Sequence, residues 1–240
     1  MLLLAAFVLV ERRAVAPLVP FAVFRLPSVT SANVSMLIVG GVMFGMFFFL
    51  SLYMQQVLGY SALETGLALL PLAGTLVVAA GAAAPLLTRY GVKPVLLAGL
   101  VLFAGGMAWF SRMPADGEFV ADLLGPSLLV GLGLAATFVA LTVASVEGVR
   151  RQEYGLASGL INTSQQIGGA LGLAVLAAVA NARVETVAKQ GADAEVALTE
   201  GFQSALLVGT GFTVVAVVLA AVLTPRRAPE PHPEPAPARA

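Results

Sequence analysis

The chain has 240 residues, of which 59% are hydrophobic and 11% charged, with a mean hydropathy of +0.94, values outside the range of a soluble globular domain. Thirteen basic residues balance thirteen acidic ones, which argues against a nucleic-acid binder held by charge. Cysteine is absent, which removes disulfides and thiolate metal sites.

Residues 2–10 are apolar but too few to cross a bilayer, and Glu11, Arg12 and Arg13 follow at once. A secretory signal would carry its positive charge ahead of the apolar stretch and end in small residues. Residues 1–10 therefore read as the end of a truncated transmembrane helix. Residues 11–34 read as a cytoplasmic connector and the approach to the first full helix. Six apolar runs follow, at 35–57, 63–87, 94–110, 123–146, 156–180 and 202–223. Each is close to the ~20 residues an α-helix needs to span the hydrocarbon core, where it satisfies its own backbone hydrogen bonds. The predicted fold is an all-α integral membrane protein, a six-transmembrane-helix bundle over 35–224. Residues 225–240 carry proline at every second position from 229 to 237 and predict a disordered cytoplasmic tail. His232, the sole histidine, lies there and is expected to be solvated.

The connectors orient the bundle. Arg12, Arg13, Arg25, Arg89, Lys93, Arg150, Arg151, Arg226, Arg227 and Arg239 fall on one side if the runs alternate, and Arg112, Arg183 and Lys189 on the other. Basic residues near helix ends stay cytoplasmic, so both chain ends are expected inside. Tyr53, Tyr60, Tyr90, Trp109 and Tyr154 lie near run ends, as rings of an interfacial belt do. Glu64 is the only acid inside a run. Its spacing from Ser61 is that of a capping box, with Gly59 ending the preceding helix, so it reads as a cap at the outer rim ahead of a proton-carrying carboxylate.

Polarity is uneven among the runs. The third has no Ser, Thr, Asn or Gln, and the sixth has few, so both are expected to be lipid-facing supports. The fifth carries Ser158, Asn162, Thr163, Ser164, Gln165 and Gln166, whose burial in lipid is costly without a partner, so it is expected to be interior. Gly155, Gly159, Gly168 and Gly172 form two small-xxx-small pairs suited to close helix packing. Phe44 and Phe48, within an aromatic cluster of the first run, offer apolar surface for a ligand or for packing. Nothing in the chain points to a cofactor or a metal, and clustered catalytic groups at membrane depth are absent.

Three stretches together resemble the major facilitator superfamily, in particular its 14-helix multidrug/proton antiporter branch. They are the region from Val10 to Arg25, the stretch from Leu52 through Tyr60 and Ser61 to Gly66 and Pro71, and the stretch from Gly155 through Asn162 and Gln166 to Gly169. The likeness covers nearly the whole chain, as the end of helix 8 plus helices 9 to 14. The superfamily turn G-x-x-x-D-R-x-G-R-K is matched at Arg89, Gly91 and Lys93, while Ala84, Thr88 and Val92 depart from it. Those departures leave a switch role for the turn open. The antiporter glycine spacing recurs at Gly159, Gly168 and Gly172, with Leu173 in place of its proline.

The resemblance implies the C-terminal half of a proton-coupled multidrug efflux transporter in the bacterial cell membrane, working by alternating access without covalent chemistry. Phe44, Phe48, Tyr53, Thr137, Asn162, Gln165 and Gln166 would line its substrate cavity. Arg89, Gly91, Lys93 and Glu147 would form a switch turn, with Arg89 paired to Glu147, or with Glu153 or Arg150 as the partner instead. The partners implied are the bilayer, an N-terminal transporter half, protons and an amphipathic small molecule. The proton-coupling acids of the family belong to that other half, which leaves Glu64 as the sole candidate here. A small non-transporting membrane scaffold or partner subunit is the alternative.

Overall fold

The computed structural model describes residues 26–224. The expected helix remnant at 1–10, the basic residues Arg12, Arg13 and Arg25, and the proline-rich tail lie outside them. Within them the chain forms six long helices, which we label α1 (Pro27–Leu52), α2 (Ala62–Tyr90), α3 (Val92–Phe110), α4 (Gly125–Val146), α5 (Tyr154–Lys189) and α6 (Ala194–Leu223). A π-helical turn, Tyr53–Val57, extends α1, another, Phe119–Leu124, leads into α4, and a 3₁₀ turn, Arg151–Glu153, precedes α5. All six are long and apolar enough to cross a membrane.

Helix ends differ from the apolar runs for identifiable reasons. α1 starts at Pro27, eight residues before the run, because proline suits the first turn of a helix. α5 runs on past residue 180 to Lys189, where Lys189 and Glu185 pair at i,i+4 and support a solvated extension. Gly59 and Gly91 take φ of 70° and 84°, which lets the chain leave one helix and enter the next within a few residues.

α4 and α1 form the centre. α4 packs on α3, α2 and α1, while α1 packs on α5, α6 and α4. Phe49, Phe103, Phe110, Met46 and Met107 fill the space between them and are almost wholly buried. Two networks fix the ends. At one, Ser31 Oγ and Thr224 Oγ1 lie 2.8 Å apart, and Val29 packs with Val149 and Ala157. At the other, Tyr53 donates to the Pro114 carbonyl at 2.6 Å and Gln203 to the Met113 carbonyl at 2.6 Å.

Burial corrects one expectation. In the most apolar 18-residue window of each helix, α1 and α4 are 56% buried, α3 39%, α6 28%, α5 22% and α2 11%. The polar fifth helix is therefore not interior to this bundle, and the apolar third is among its better-covered helices. α5 docks on α1 through a narrow glycine-rich strip and on α6 near Ala180 and Val184, and its amide-bearing flank stays open.

A glycine seam and an open amide face

α1 and α5 form the most extensive helix pair of the fold, and glycine is the reason. A Cβ at Gly40 would meet the Gln165 carbonyl at 2.5 Å, and one at Gly41 the Gly168 carbonyl at 2.8 Å. On α5, a Cβ at Gly168 would overlap the Leu37 carbonyl and one at Gly172 the Gly41 backbone. Above this seam Ser164 donates to Asn33 Oδ1 at 2.8 Å, while the Asn33 amide donates to the Val29 carbonyl at 2.8 Å. A buried amide is thereby satisfied from both sides of the contact.

Beside the seam lies an exposed strip. The Phe44 ring rests against Gly169, where a Cβ would sit 2.9 Å from it, and Phe44 and Phe48 remain 37% and 43% exposed. Asn162 and Gln166 are exposed and Gln165 is half-buried. None of these three amides makes a side-chain hydrogen bond among the described residues. Phe44, against Gly169, and Gln165, against Gly40, thus both border the seam, while Asn162 and Gln166 stay open on α5.

Two residues expected in a cavity stand elsewhere. Tyr53 is fully buried in the core and uses its hydroxyl to hold the connector after α3, because the π-turn aims it at Pro114. Thr137 is also fully buried and faces α3, where a Cβ at Gly99 would come within 2.7 Å of its hydroxyl oxygen. Of the four packing glycines, Gly168 and Gly172 lie in the seam, while Gly155 and Gly159 have open space where a Cβ would go.

The expected switch turn is arranged differently as well. No ion pair joins Arg89 to Glu147; the Arg89 guanidinium lies over the Tyr90 ring, 5.3 Å from its centroid. Lys93 reaches across to the end of α6 and donates to the carbonyls of Ala221 and Thr224, at 2.6 and 2.8 Å. It caps orphan carbonyls, which a cation at a helix C-terminus does well. Glu153 pairs with Arg150, whose hydrogen bond and charge raise the arginine pKa further above its ordinary value. The capping role of Lys93 had no local signal, since its partners are some 130 residues away. The glycines of α1 did have one: Gly41 and Gly45 are themselves a small-xxx-small pair.

These features define a multi-pass helical membrane protein with a polar strip on an exposed face. The pattern of the Major Facilitator Superfamily matches residues 3–173 and 77–239, and the chain belongs to that superfamily. It is 43% identical over 183 residues to a cephamycin export protein of Amycolatopsis lactamdurans, covering 75% of this chain and 37% of that protein. A puromycin resistance protein of Streptomyces alboniger is 34% identical over 92% of this chain and 45% of its own length. A tetracenomycin C resistance and export protein of Streptomyces glaucescens is 36% identical over 76% of this chain and 34% of its own. The chain spans less than half the length of these relatives.

Proposed function

We propose that this chain forms the C-terminal half of a proton-coupled exporter of amphipathic small molecules in a bacterial plasma membrane. The observation that carries this reading is the strip of α5. Asn162, Gln165 and Gln166 hold unmatched hydrogen-bonding groups on a membrane helix, and on the facing helix Phe44, whose ring rests against Gly169, and Phe48 are partly exposed. Amides facing only lipid are costly, so the strip calls for a hydrated cavity or a second bundle. A substrate with an apolar body and a few polar groups fits such a lining: the rings supply contact area and the amides donors and acceptors. The second bundle would close the cavity over α2 and α5, the least covered helices, and rock against this one. The likeness to export and resistance proteins supports the same reading.

The test is uncoupler-sensitive efflux of a fluorescent lipophilic cation from cells. The chain alone should insert without conferring efflux, and co-expression with a matching N-terminal half should restore it. Asn162→Leu with Gln166→Leu should then lower efflux at least about tenfold, since a binding site left without its polar partners loses affinity steeply. Robust efflux from the 240-residue chain alone would refute the half-transporter reading. Full activity of the double variant would remove the amides from the substrate path.

A further inference from the structure

α2 and α3 both pack on α4 but touch each other little. The gap between them is a groove of about 820 Å³, floored by Leu132 and Ala136 and walled by Val78, Ala82, Ala98 and Leu102. It runs from Gly74, near the middle of α2, to Tyr90 and Pro94, where α2 gives way to α3. At 1.5 Å per residue that is about 24 Å along α2. Half a bilayer measures roughly 20–22 Å with its headgroup layer, so on a tilted helix the groove is one leaflet deep and opens at headgroup level.

Its mouth is charged. Arg89 lies over Tyr90, a residue of the groove wall, and has no acidic partner among the described residues. Lys93, four residues on, directs its ammonium to the carbonyls of α6. Among the described residues at the opening, Arg89 is therefore the free cation. An empty apolar groove would forfeit dispersion contacts along its walls, and hydrocarbon chains are what surrounds it.

We propose that this groove is a phospholipid site, holding an acyl chain along Val78, Ala82, Ala98 and Leu102 and an anionic headgroup against Arg89. A basic residue at a membrane surface favours an anionic lipid by about 1 kcal/mol, or about fivefold. The proposal depends on membrane embedding and not on transport. The purified chain is equilibrated in mild detergent with equal amounts of phosphatidylglycerol and phosphatidylcholine of the same acyl chains, then read by native mass spectrometry. It should retain one lipid, with phosphatidylglycerol about fivefold in excess. Arg89→Gln should abolish that excess and Arg89→Lys should keep most of it. Ala82→Phe and Ala98→Phe, which fill the groove, should each lower retention of both lipids about tenfold at unchanged helicity by circular dichroism. Equal retention of the two headgroups by the unaltered chain, or full retention by a folded Phe variant, would overturn the proposal. Should one Phe variant fail to fold, the other and the Arg89 pair still decide it.

Discussion

Glu64 sits at the start of α2 and is bound on both sides to Ser61. Its Oε2 accepts from the Ser61 N–H and Oγ at 2.8 Å each, and its own N–H donates to Ser61 Oγ at 3.3 Å. A carboxylate occupied in capping a helix at the rim is poorly placed to carry protons through the membrane. Ser61→Ala should therefore lower stability by about 1 kcal/mol, seen as a lower midpoint of thermal unfolding in detergent. Glu64→Gln keeps an acceptor at the same place and should leave that midpoint almost unchanged. A Glu64→Gln variant that abolished coupled efflux at normal stability would return the residue to proton carriage. The cap was legible in the sequence because its chemistry is local, a serine and a glutamate three residues apart. Tyr53 was not, since its burial depends on the path of the connector after α3, which no spacing near Tyr53 encodes.

α1 and α5 meet backbone to backbone, and the seam explains how two helices associate in a solvent as apolar as they are. Lipid supplies no hydrophobic drive between helices, so close packing and interhelical hydrogen bonds have to hold them. Gly40, Gly41, Gly168 and Gly172 provide the first and the Asn33–Ser164 bond the second. Gly168→Ala and Gly172→Ala would push a methyl into backbone atoms that cannot swing aside, at an expected cost of about 1–3 kcal/mol each. Gly155→Ala and Gly159→Ala meet open space and should stabilise by up to about 1 kcal/mol through helix propensity. Unfolding of the chain in mixed detergent reads both pairs, and equal effects would sink the seam. From sequence the two glycine pairs of α5 look alike, because spacing marks a stripe without saying what faces it. The six helices were legible for the opposite reason: their length and hydropathy are set by the bilayer, not by neighbours. The amides of α5 told that it needs polar company, but not whether that company lies inside this bundle or beyond it.

The fold sorts the connectors into two ends. Ser31 with Thr224, Lys93 with Ala221 and Thr224, and Val29 with Val149 gather the start of α1, the α2–α3 turn, the α4–α5 connector and the end of α6 at one end. Tyr53 with Pro114, Gln203 with Met113, and Arg183 with Glu200 gather the other connectors at the opposite end. Charge divides along the same line. Among the described residues the first end holds Arg89, Lys93, Arg150 and Arg151 with Glu147 and Glu153, while the second holds Arg112, Arg183 and Lys189 against Glu64, Asp116, Glu118, Asp122, Glu185, Asp193, Glu195 and Glu200. An end rich in bases and poor in acids is the one retained in the cytoplasm, although only the bases weigh heavily in that preference. Because the chain has no cysteine, single introduced thiols report each end cleanly. Gly91 and Gly191 are poor sites for them, since their φ of 84° strains any side chain, whereas Thr88, Arg151, Asp116 and Gln190 are exposed and free of that constraint. In intact cells an impermeant maleimide should label Asp116→Cys and Gln190→Cys at once, and Thr88→Cys and Arg151→Cys only after permeabilisation. The reverse pattern would invert the bundle, and would place Arg89 and the mouth of the lipid groove at the outer leaflet.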